Sequence, residues 1–142
     1  MRSAVLSLAA LAAVVATPAL AIDANVIDGV YTGGYRCAQG VTFLELTVDG
    51  DRDGSVRAVF RFNSATWNGG ENRTVPEGKF AMAGRLNDQG QIVLQGSYWI
   101  LQPRDYAMVN LAGLVTREGG SLVVAGNVGG APSCTTFRVV RN

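Results

Sequence analysis

The chain is predicted to be all-β: an eight-stranded antiparallel up-and-down β-barrel closed by one disulfide, with a β-sandwich as the alternative. Three observations predict it. Apolar and polar residues alternate with period two, as Val56, Ala58, Phe60 and Phe62 do against Ser55, Arg57, Arg61 and Asn63, a pattern that a 3.6-residue helix does not produce. Turn-forming Gly, Asn, Asp and Pro separate the alternating runs at short intervals. The two cysteines, Cys37 and Cys134, close the first run and open the last.

Residues 1–21 read as an export signal. Met1 and Arg2 give a positive start, residues 4–15 are uncharged and apolar, and Thr17-Pro18-Ala19-Leu20-Ala21 carries the small-residue cleavage pattern. The apolar run is shorter than the roughly 20 residues of a membrane span, so no membrane insertion is expected. Cleavage after Ala21 starts a single domain, residues 22–142, at Ile22. That position is not cysteine, so a lipoprotein is not expected, and the product is predicted to be periplasmic or secreted.

The expected strands are Gly29–Cys37, residues 43–48, Ser55–Asn63, residues 79–86, Gln91–Leu101, and residues 106–116, 121–128 and 134–141. Short connectors imply that each strand pairs with the next, antiparallel. The barrel-facing set is Leu44, Leu46, Val48, Val56, Ala58, Phe60, Phe62, Phe80, Met82, Leu86, Ile92, Leu94, Val109, Leu111, Val124, Phe137 and Val139. None is polar, so a packed core is expected, because eight strands enclose little more than their own side chains. Gly84, Gly96, Gly113 and Gly126 share the inward phase, which keeps open a lumen for a small apolar ligand. In a closed barrel the first and last strands are neighbours. A Cys37–Cys134 bond then staples the seam, worth roughly 4–5 kcal/mol on loop-closure grounds; two unpaired thiols are the alternative.

Strand order also sorts the connectors. Residues 50–54, 87–90 and 117–120 are short polar turns at one end. Residues 38–40, 64–77, 102–105 and 129–133 gather at the disulfide end, which holds most of the residue types that dominate binding surfaces. The predicted binding residues there are Trp67, Arg73, Trp99, Arg104, Asp105 and Tyr106. The competing reading has Trp67 and Trp99 plugging the barrel mouth as core.

The chain contains no histidine, which removes His-based triads, His general bases and His-ligated metals. Asp49-Gly50-Asp51-Arg52-Asp53-Gly54 opens like a calcium loop, but Arg57 and Phe60 occupy later ligand positions, and a solvated turn explains Asp49, Asp51 and Asp53 without an ion. Glu71, Glu77 and Asp105 show no spacing that sets two carboxylates on one site. Cys37 and Cys134 are too far apart for a redox motif, and Ser97 and Ser133 lack an activating base. Asn72-Arg73-Thr74 fits a glycosylation sequon, a short motif that chance often produces. Loss of Arg2 levels the 12 basic residues with the 11 acidic ones, so no nucleic-acid partner is expected. No cofactor, metal or enzymatic activity is predicted.

Gly34-Tyr35-Arg36-Cys37-Ala38-Gln39-Gly40, Trp99 followed by Pro103-Arg104-Asp105-Tyr106, and the ending Cys134-Thr135-Thr136-Phe137-Arg138 resemble a small secreted bacterial module. Tyr35-Arg36-Cys37 near the first strand is also loosely similar to periplasmic inhibitors of C-type lysozyme, which are exported eight-stranded barrels. The Ser-Gly-x-x-Tyr segment of those inhibitors has no counterpart here, so no inhibitory residue is carried over. The expectation is an exported non-catalytic binding protein whose partner is another protein, in one form an inhibitor of an envelope or host hydrolase. The alternatives are a carrier of a small apolar ligand and a structural envelope module.

Overall fold

The computed structural model describes residues 23–64 and 75–142; the proposed signal, Ile22 and residues 65–74 lie outside them. A one-turn 3-10 helix, Ala24–Ile27, leads into eight strands: β1 Gly29–Cys37, β2 Gly40–Gly50, β3 Ser55–Asn63, β4 Gly78–Leu86, β5 Gln91–Leu101, β6 Asn110–Glu118, β7 Ser121–Gly129 and β8 Thr136–Arg141. They form a closed barrel in sequence order, every neighbouring pair antiparallel. The sandwich alternative is thereby set aside.

All seventeen positions assigned to the interior by alternation are buried, none more than 7% exposed. The interior is not wholly apolar, however. Tyr31, Tyr35 and Thr42 also face inward and are buried. Tyr31 donates its hydroxyl to the Ile27 carbonyl at 2.7 Å, so the phenol is satisfied while its ring fills the core. That bond ties β1 to the 3-10 helix. Ile27 is fully buried in the core and Asp28 accepts the Gly50 N–H at 2.7 Å, which closes the short-turn end of the barrel.

The inward glycines do not leave room in the lumen. A Cβ on Gly84 would lie 1.7 Å from the Val93 carbonyl oxygen, and one on Gly126 would lie 2.1 Å from that of Ala112. Gly113 and Gly126 stand directly opposite each other on β6 and β7. These residues let neighbouring strands approach and coil, the usual reason for glycine where a small barrel bends.

Closure joins β1 to β8 from Tyr31–Arg141 to Tyr35–Phe137, and the Cys37–Cys134 disulfide lies just beyond, spanning 97 positions of sequence. Cys134 precedes β8 rather than starting it. Its neighbour Thr135 donates its backbone N–H to Arg36 at 2.9 Å, so the bridge sits where the two strands separate.

The largest departure from expectation is β6, which starts at Asn110 and not at Tyr106. Pairing of β5 with β6 covers only Gln91–Leu114 to Leu94–Leu111. Above that point the β5–β6 connection turns inward and no longer runs in a ladder.

Candidate site at the disulfide end of the barrel

The upper layer of the core is aromatic. Phe60 and Phe62 come from the end of β3 and Phe80 from the start of β4, all on the inward phase. Phe60 and Phe80 are stacked at 4.7 Å between ring centres, and Tyr35 meets Phe60 edge-on at 5.1 Å. Gly78, opposite Phe62, makes room for that ring, because a Cβ there would lie 2.2 Å from it.

Two register shifts on β5 decide where Trp99 goes. Met82 pairs with Gly96, Ala81 with Tyr98, Phe80 with Trp99 and Lys79 with Leu101, leaving Ser97 and Ile100 as the extra residues. A bulge reverses which side chains face inward. Trp99 therefore packs against Phe80 at 5.2 Å and Phe62 at 6.5 Å, while Tyr98 and Ile100 point to solvent. Trp99 is half-buried across the mouth, as in the reading that makes it a plug.

The turn after β5 supplies the opposite wall. Tyr106 donates its N–H to Pro103 at 3.4 Å, and between them Asp105 has φ +65°, the one non-glycine residue with a positive φ among those described. Asp tolerates this left-handed conformation better than most residues. The turn redirects the chain inward, so that Tyr106 stacks on Phe62 at 5.4 Å with 22° between ring planes.

Between these walls lies a cleft of about 250 Å³ with Tyr35, Phe60, Phe62, Phe80 and Tyr106 as its floor and sides. Gln39, Asp105, Ser133 and the Cys37–Cys134 bridge form its rim. Burial drives the Tyr35 phenol far above its ordinary range, with the Tyr106 phenol adding to the rise. The Thr42 hydroxyl beside Tyr35 partly offsets that shift, yet it is fully buried and makes no hydrogen bond of good geometry to any described group. The floor of the cleft thus combines flat apolar surface with the Tyr35 phenol, whose ionisation burial opposes.

Of the predicted binding residues, Trp99, Asp105 and Tyr106 come together at this mouth, and Arg104 is exposed at the tip of the same turn. Trp67 and Arg73 lie outside the described residues, as does Glu71. Tyr35, Phe60, Phe62 and Phe80, which the sequence marks only as core or motif positions, also line the cleft. Strand order already carries the signal: four of the five phenylalanines, Phe60, Phe62, Phe80 and Phe137, sit on inward positions towards one end.

Glu77 lies 3.6 Å from Arg61, whose guanidinium also holds both carboxylate oxygens of Glu45 at 3.1–3.2 Å. This pairing lowers the Glu45 pKa, and as a half-exposed outer-wall network it adds little stability. At the other end, Asp53 bonds the Ser55 hydroxyl and N–H, and Asp49 pairs with Arg57 at 3.0 Å. These carboxylates serve a turn and an ion pair. Among the described residues no three His, Cys, Asp or Glu side chains converge on a point where a metal ion would sit, and no helix is long and apolar enough to cross a membrane.

No protein-family model, curated protein or solved structure matches the chain.

Proposed function

We propose that the chain is an exported, non-catalytic binding module that receives a side chain of a partner protein in the cleft at its disulfide end. One observation carries this reading: the two mouths are finished differently. Ile27 fills one, beside an open groove lined by the polar turns and no aromatic residue, whereas the other ends in an aromatic cleft with a polar rim and a left-handed Asp105. Backbone strain of that kind collects at working surfaces.

Size argues for a side chain over a free ligand. At about 250 Å³ the cleft falls below the roughly 300–1,000 Å³ of small-molecule sites, while an aromatic anchor in a rigid pocket is the common centre of a protein interface. The missing histidines and the unaligned carboxylates agree with a role without catalysis. Blocking an envelope or host hydrolase is the form of binding that the likeness to lysozyme-inhibitor barrels adds.

The test is affinity capture with immobilised wild type, Arg104→Ala and Tyr106→Ala, followed by crosslinking. A partner held by wild type and bound about tenfold or more weakly by both variants supports the proposal. Arg104→Ala should leave melting unchanged, since Arg104 is exposed. Equal capture by all three proteins would remove it, and a native-mass adduct of an apolar small molecule would replace it with the carrier reading.

A further inference from the structure

We infer that the upper half of β5 is a self-association edge, on which a second copy of this chain pairs strand to strand. Among the described residues, this strand from residue 95 to Leu101 has ladder partners on β4 alone, because pairing with β6 ends at Leu94. Residues 106–109, which would continue the β6 ladder, turn inward as the cleft wall. Gly96 donates its N–H to the Asn110 side chain instead of to a strand. Among the described residues, no backbone hydrogen bond joins residues 97–101 to anything beyond β4. A strand edge whose N–H and C=O groups meet no second strand among the described residues specifies its occupant's chemistry, which is another extended backbone.

Charge selects the second copy. Natural edges are guarded by bulges and by charged residues, above all lysine; this strand has bulges against β4 at Ser97 and Ile100, but residues 91–102 contain no charge. Strands β1 to β4, β6 and β8 each carry at least one charge, and β7, which carries none, is paired on both sides. A two-fold-related copy of β5 therefore meets its mate without like-charge repulsion. An antiparallel pair centred on Trp99 sets Tyr98 opposite Ile100 of the second copy. Those two side chains are 63% and 52% exposed, the highest values among the large apolar residues described. Aromatic against β-branched is a favourable cross-strand pair, and an interface that repeats itself under two-fold rotation closes as a dimer.

Sedimentation equilibrium of the full, disulfide-intact chain from micromolar to near-millimolar concentration tests this. The expected result is a monomer–dimer equilibrium whose dissociation constant rises about tenfold or more in Ile100→Lys. It should be unaltered in Leu114→Lys, an equally apolar exposed site on the doubly paired part of β6. Amide exchange of wild type supplies a readout independent of any variant: protection at residues 97–101 should grow with concentration. A wild type that stays monomeric throughout overturns the inference, even if some other protein later proves to cover the strand. So does an Ile100→Lys chain that keeps its fold and dimerises as wild type does.

Discussion

The Tyr106 ring lies almost parallel to that of Phe62, 5.4 Å away and tilted by 22°. Tyr106 belongs to a connection and Phe62 to the end of β3, so the contact anchors the inward-turned chain to the barrel core. Tyr106→Ala should cost about 1–3 kcal/mol by loss of the stack and of partly buried area. Tyr106→Phe should recover most of it. Urea denaturation of the two variants is the check, and equal stability would mean that the wall of the cleft is held by something else.

Gly126→Ala should be among the most damaging single-methyl additions in the molecule. The new Cβ would sit 2.1 Å from the Ala112 carbonyl and 2.5 Å from the Gly113 Cα, both backbone atoms that cannot swing aside. Overpacking of this sort costs about 1–3 kcal/mol or more. Gly129→Ala, where a Cβ meets nothing within 4 Å and the backbone φ is not left-handed, is the matched control. Similar melting temperatures for the two would refute the close-approach explanation of the inward glycines.

Reduction of the Cys37–Cys134 bridge, or its replacement by Cys37→Ala with Cys134→Ala, should remove about 2–5 kcal/mol. The loss should open the β1–β8 seam first, since the bridge lies just beyond that ladder, where the two strands separate. Amide exchange that speeds up at Tyr31 and Tyr35 before β3 and β4 would agree. Uniform acceleration would show instead that the bridge acts only through the unfolded chain.

Stability should fall as pH climbs past about 10, the phenol pKa of the unfolded chain. Burial raises the Tyr35 pKa in the folded state, so the folded chain keeps a proton that the unfolded chain releases, and its contribution drains away as pH rises towards the folded value. Tyr35→Phe should flatten this slope. The opposite sign applies to Glu45, whose folded pKa is lowered by Arg61. That contribution is present above about pH 4.3 and lost on acidification through the folded value. Denaturation midpoints across pH for wild type and Tyr35→Phe decide the point; a slope unchanged by loss of the Tyr35 phenol would assign it to Tyr31, whose pKa burial also raises.

Much of this molecule was legible along the chain. Strict alternation placed seventeen core residues on the right face, because period two admits one inward set once a strand is half-buried. Eight such strands with short connectors left few topologies, and the positions of Cys37 and Cys134 selected closure. What alternation does not encode is where it is interrupted. Ser97 and Ile100 look like any strand residues, yet as bulges against β4 they turn Trp99 inward and Tyr98 outward. Asp105 reads as an ordinary turn residue, but its left-handed backbone ends the β5–β6 ladder early and brings Tyr106 onto Phe62. The glycines looked like empty space because a sequence shows a missing side chain and not the neighbouring carbonyl that forbids one. Local chemistry determined the strands and their order. Only tertiary packing, through two bulges, one turn and the spacing between backbones, decided which residues form the cleft and where the β5–β6 ladder stops.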